Sequence, residues 1–149
     1  QDRNKVIVSK ISKSMNHIDN GDVVVFHEDS KRDFIKRVIG TPGDTVEYKG
    51  DQLYVNNKKV SEPYLDYNKK HKQGQYLTGS FKSSQIKGSN GEMKLPKDKY
   101  LVLGDNRQNS IDSRFDVVGL VDKKQLVGKV VWRYWPFNEW KTNFNPGTF

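Results

Sequence analysis

The 149 residues contain no cysteine. That excludes a disulfide framework, a thiolate nucleophile and any cysteine-ligated metal site. No apolar run approaches the roughly 18 residues of a membrane span, and no secretory leader is visible. The three histidines, His17, His27 and His71, have neither metal-ligand spacing nor the companions of a Ser-His-Asp triad. They read as surface residues. A P-loop, a dinucleotide fingerprint and a G-x-S-x-G elbow are all absent, so neither a cofactor nor a metal is expected. Hydrophobic residues amount to only 34%, so a core must come from alternating strands. The 11% of aromatics help, because each ring buries a large area.

The net charge is +8, from 26 Lys and Arg against 18 Asp and Glu. Such a surface favours anionic partners, whether nucleic acid, an acidic membrane surface or a polyanionic wall. The lysines fall in pairs, Lys58-Lys59, Lys69-Lys70 and Lys123-Lys124, within loop-like stretches. That pattern is a solvated face. With no long basic run and no recognised binding motif, nucleic acid is not expected as a partner.

What is present is mostly strand. Val6 to Ile11 is apolar and β-branched, and Asn20-Gly21-Asp22 is a turn signal before Val23-Val24-Val25-Phe26. Phe34 to Gly40 is a further run, closed by the turn Thr41-Pro42-Gly43-Asp44. Val46-Glu47-Tyr48 and Leu53-Tyr54-Val55 alternate around Gly50-Asp51, a hairpin pattern, and Asn56-Asn57-Lys58 turns into Val60. Residues 61–92 are rich in Lys, Gln, Gly, Ser and Asn; they read as an insertion of loops and short strands. Pattern returns at Tyr100-Leu101-Val102-Leu103, and Gln125 to Trp135 is a last long strand. No convincing helix is visible, and little helix is expected. The chain reads as one mainly antiparallel β domain over 1–149, with its core in 1–60 and 93–149.

Two segments can carry chemistry. In Asp33 to Asp44, alternation puts Phe34, Lys36 and Val38 on one face and Ile35, Arg37 and Ile39 on the other. Either Lys36 or Arg37 therefore points inward between apolar neighbours. A desolvated lysine has a lowered pKa, and its neutral amine can act as a general base. The alternative is that Lys36 snorkels to water. The second segment, Gly104-Asp105-Asn106-Arg107-Gln108-Asn109-Ser110-Ile111-Asp112-Ser113-Arg114, directly follows an apolar strand. Its Asp and Arg side chains can pair in bidentate fashion, and Ser110 can exchange a hydrogen bond with an amine. An Asx-rich turn locked by its own side chains is the competing reading.

In order, Gly21 to Phe26, Asp33 to Asp44, Gly104 to Arg114, Gly128-Lys129-Val130 and Tyr134-Trp135-Pro136-Phe137 resemble the motif blocks of bacterial type I signal peptidases. The resemblance covers nearly the whole chain. It implies the signal-peptidase/LexA-like β-fold and a membrane-anchored serine endopeptidase with a Ser-Lys dyad. Such an enzyme removes signal peptides from secreted preproteins after small residues at −1 and −3, on the extracytoplasmic face of the cell membrane. By resemblance Lys36 is the general base and Ser110 orients it. Asp112 and Arg114 match a supporting ion pair, and Asp105 and Arg107 a further network. Val25, Phe34 and Ile35 line shallow apolar pockets, and the backbone from Asp33 to Lys36 receives the substrate as an added strand.

The resemblance also implies what is expected outside these residues. The family's nucleophile sits in a Ser-Met-x-Pro-Thr-like block before the strand that here begins near Lys5, roughly six residues ahead of Gln1. Ser14-Met15 repeats the Ser-Met pair, but it follows that strand and lacks the proline. The chain begins at Gln1 without Met, so it is expected to be cut from a parent with an N-terminal membrane span. Alone it is expected to be inactive. Phe34 stands where the family usually has Tyr, and the stretch Phe115 to Gly119 is slightly long. Two rivals are a catalytically inactive relative that binds signal-peptide-like segments, and a self-cleaving repressor, for which no helix-turn-helix segment is visible.

Overall fold

A computed structural model describes residues 5–13, 17–136 and 143–144. Eleven strands among them are β1 (Lys5–Ser12), β2 (Val23–His27), β3 (Asp33–Gly40), β4 (Val46–Lys49), β5 (Gln52–Val55), β6 (Lys58–Val60), β7 (Phe81–Lys82), β8 (Lys99–Leu103), β9 (Val121–Asp122), β10 (Leu126–Pro136) and β11 (Asn143–Phe144). Seven form one antiparallel sheet in the order β1-β10-β2-β3-β8-β9, with β11 on β10. The other four form a second sheet, β6-β5-β4-β7. The fold is thus mainly antiparallel β, as the alternation and the hairpin turns require. Asn56 and Asn57 both take positive φ, 54° and 67°. This is the backbone of a tight two-residue hairpin, and asparagine tolerates it.

The period of two explains where the core lies. Beyond Arg37, β3 runs between β8 and the Gly21-Asp22 backbone that leads into β2, and Val38, Ile39 and Gly40 are all buried. Ile39 joins Leu101 and Leu103 of β8 in a cluster with Val46, Tyr48 and Leu53 of the second sheet. Val38 faces the other way, with Val102, Tyr100, Val24, Phe26 and Val121. The large sheet is therefore apolar on both faces at β3 and β8. Each fully buried Val or Leu there contributes roughly 1.5–3 kcal/mol; Leu101→Ala would cost about 2–5 kcal/mol. The sheets approach so closely at Gly40 that a Cβ there would lie 2.7 Å from Val46 Cγ2.

Residues 61–92 differ from expectation in one respect. They include a short α-helix, α1 (Asp66–Lys70), after a 3₁₀ turn at Pro63–Leu65. Five residues are too few for an apolar stripe to register in the sequence. Asp66 in its first turn and Lys69 and Lys70 in its last suit the helix ends. Leu65, Leu77 and Ile86 of this stretch are buried. A second difference is β11, which follows the strand read as the last. The Ser14-Met15 pair and Phe137 lie outside the described residues.

Candidate active site

Strand β3 separates its two adjacent cations. Lys36 lies on the face of Phe34 and Val38, opposite Val24 of β2. It is half-buried; its Nζ donates to Ser110 Oγ at 3.0 Å and sits 5.4 Å from the centre of the Phe34 ring. Arg37 emerges on the Ile39 face, towards the second sheet. Its guanidinium makes two bonds to Asp105, at 3.0 and 2.9 Å, and a third to the Gly21 carbonyl at 2.8 Å. It also stacks on Tyr64 at 4.1 Å. Both cations left open by alternation are partly buried, each on its own face: Lys36 against Phe34 and Ser110, Arg37 against Tyr64 and Asp105.

The loop after β8 brings the second half. Ser110, Asp112 and Ser113 are buried. The Asp112 carboxylate receives Arg114 Nε and Nη2, both at 2.9 Å, and the Gly104 N–H at 2.9 Å. Burial alone would raise its pKa, but the Arg114 hydrogen bond and charge, the Gly104 N–H and a hydrogen bond with Ser110 hold it below the usual carboxylate range. Ser110 therefore bridges Lys36 and an ionised, anchored carboxylate. Gly104 lies against this pair: a Cβ there would come 2.0 Å from Ser110 Oγ and 3.3 Å from Lys36 Nζ. Only glycine lets the loop backbone approach this closely.

Asp105 and Arg107, expected in one network, sit in two. Asp105 belongs to Arg37. Arg107 turns into the interface between the sheets, where it pairs with Glu62 at 3.0 Å; their side chains are 0% and 2% exposed. Tyr48 and Tyr64 hydroxyls donate to the same Glu62 oxygen at 2.8 and 2.7 Å. Burial, reinforced for Tyr64 by Glu62, pushes both phenols well above their ordinary value. For Arg107 burial acts to lower the pKa, yet Tyr48, Glu62 and Tyr64 outweigh it and the guanidinium is raised.

The three residues read as pocket-lining do not share a face. Phe34 packs edge-on against Phe26 on the Lys36 side. Ile35, 60% exposed, pairs with Val25 on the opposite side. The Asp33 carboxylate is engaged by His27 Nδ1. From Asp33 to Lys36, β3 pairs with β2 along one edge, whereas β8 joins the other edge only from Arg37 onward. Sequence reasoning did not single out Glu62, Tyr48, Tyr64 or Gly104, nor Arg37 as the partner of Asp105. Glu62 had no signal beyond an acid before Pro63 in a lysine-rich stretch.

The family described as signal peptidase, peptidase S26, matches residues 1–135. Signal peptidase IB of Staphylococcus aureus strain Mu50 is 54% identical over 147 residues, covering 98% of this chain and 76% of that protein. Signal peptidase I of Bacillus caldolyticus is 46% identical over 142 residues, 95% of this chain and 75% of that one. The crystal structure of a signal peptidase I from Enterococcus faecalis V583 superposes with a TM-score of 0.68 at 33% identity, over 78% of this chain and 98% of that chain.

Proposed function

This chain belongs to the signal peptidase family, peptidase S26, and from that premise we propose that it is the catalytic domain of a Ser-Lys endopeptidase that removes signal peptides from secreted preproteins. The observation that carries the reading is Lys36 Nζ at 3.0 Å from Ser110 Oγ beside the half-paired edge of β3. The nucleophile is a serine in a Ser-Met-x-Pro-Thr-like segment ahead of the first strand. Its hydroxyl gives its proton to the Lys36 amine as its oxygen attacks the scissile carbonyl. The protonated lysine returns that proton to the leaving amine, and a water deprotonated by Lys36 then hydrolyses the acyl-enzyme. Ser110 orients the amine: its own hydrogen goes to Asp112, so its oxygen accepts from Lys36 and fixes where the amine's lone pair points.

The preprotein adds as a strand along Asp33 to Lys36. An extended segment sends alternate side chains to one face, so positions −1 and −3 point the same way and meet the same wall. Phe34 packs on Phe26 with Lys36 beside them, and an apolar wall of this kind suits small side chains. Among the described residues no helix is long and apolar enough to cross a membrane. We place this domain on the extracytoplasmic face of the cell membrane, where secreted preproteins emerge.

The test is cleavage of a preprotein carrying alanine at −1 and −3. The 149 residues as they stand should not cut it. The chain extended by a Ser-Met-x-Pro-Thr segment ahead of Gln1 should, and the Lys36→Met version of that extended chain should not. Equal cleavage by the last two would sink the mechanism. Binding of the preprotein without cleavage by the extended chain would point instead to an inactive relative.

A further inference from the structure

The buried pair between the sheets has no part in the chemistry just described, yet one of its hydrogen bonds reaches the backbone that lies against Ser110. The Arg107 side chain spans the gap. Nη2 reaches Glu62 at 3.0 Å, Nη1 reaches Tyr48 Oη at 3.0 Å and Thr78 Oγ1 at 3.1 Å, and Nε donates to the Gly104 carbonyl at 2.9 Å. The N–H of Gly104 is held at the other end by Asp112. The Arg107 carbonyl accepts from Arg114 Nη2 at 2.8 Å, the same nitrogen that holds Asp112. The backbone lying against Lys36 and Ser110 is thus fixed by two clamps, and the Arg107 clamp depends on one carboxylate from the polar stretch 61–92. A guanidinium sealed from water is tolerated only when its charge is met.

We propose that Glu62 is a positioning residue for peptide cleavage, acting through Arg107 and Gly104 to hold Ser110 where it orients Lys36. This rests on the Ser-Lys reading above. Residues 61–92 thereby supply the counter-charge that lets an arginine from the catalytic loop cross the interior. Asn68 Nδ2 donates to the Asp105 carbonyl at 2.8 Å, and Gln108 exchanges hydrogen bonds with the Gln73 backbone and donates to the Tyr76 carbonyl, so the same stretch grips the loop at further points. A misplacement of the reacting groups by about 1 Å can cost on the order of 100-fold in rate. The expected loss appears in kcat, because the edge of β3 that receives the preprotein is not touched.

The experiment compares Glu62→Gln, the double variant Glu62→Leu/Arg107→Met and Lys36→Met with the parent, all in the chain extended ahead of Gln1. Glu62→Gln should lower kcat by roughly 10–100-fold with KM within about threefold. The double variant removes both buried charges, so its urea midpoint should recover towards that of the parent. Its kcat should stay low, because the Gly104 carbonyl has lost its donor. If the double variant regains stability and kcat together, the pair is only a stabiliser and the inference falls. If Lys36→Met retains activity, the Ser-Lys reading fails instead. The backbone amide resonances of Gly104 and Ser110, recorded on the 149-residue chain, decide the matter independently of turnover. In the double variant they should shift while those of β1 stay in place. Unchanged Gly104 and Ser110 resonances would overturn the proposal.

Discussion

Two neighbouring cations on one strand sit in opposite surroundings. On one face of β3, Arg37 commits its donors to Asp105 and the Gly21 carbonyl and lays its plane on Tyr64. Engaged in this way, it fixes geometry and has nothing to give to a reaction. On the other face Lys36 has Ser110 as its hydrogen-bond partner among the described residues, beside a phenyl ring. An amine held by one oriented contact against an apolar wall can still exchange a proton. The difference lies in the residue types as well as the faces. A guanidinium's planar fork suits bidentate pairing, whereas a compact ammonium can lose its proton.

The contrast is broken most directly at Lys36. Lys36→Met in the extended chain should reduce cleavage on the order of 10,000-fold or more, since the base of a nucleophile–base pair accounts for most of what the pair does. Methionine fills a similar volume, so the urea midpoint should hardly move. Next comes the wall beside it. Gly104→Ala drives a methyl into Ser110 and should cost about 100-fold in kcat, with the preprotein still bound, as seen by comparing kcat with KM.

Arg37→Lys sharpens the other half. It keeps the charge and loses the fork, so it should destabilise by about 1–3 kcal/mol in urea unfolding while changing cleavage far less than Lys36→Met. If Arg37→Lys were the more damaging to turnover, the division between the faces would be wrong. Ser110→Ala should then lower kcat by about tenfold, the worth of one hydrogen bond to a charged group.

The smallest effect is one of pH. Asp112 has a folded-state pKa below that of the unfolded chain, as its ion pair and hydrogen bonds outweigh burial. Its stabilising contribution is therefore complete above the unfolded value of about 3.9 and lost as pH falls through the lower folded value. Asp112→Asn should be less stable than the parent at pH 7, and the gap should close below about pH 4. A gap that widens on acidification would show that Asp112 is not held ionised.

Much of this was legible beforehand, because it depends on neighbours in sequence. Apolar runs located β2, β3 and β8, alternation located β4 and β5, and paired asparagines made the turn into β6. Alternation also required Lys36 and Arg37 to oppose one another, since a strand allows nothing else. The pairing of Asp112 with Arg114, which the family resemblance implied, spans only two residues. Alternation could not say which cation faced which core. That was decided by Val24 and Phe26 packing beneath one face and the second sheet beneath the other. Nor could it couple Arg37 to Asp105 across 68 residues, or Arg107 to Glu62 across 45. Local pattern reports which way a side chain leaves its strand. Who meets it there depends on sheets brought together from distant parts of the chain, and a buried charge shows its partner only once that closure is made.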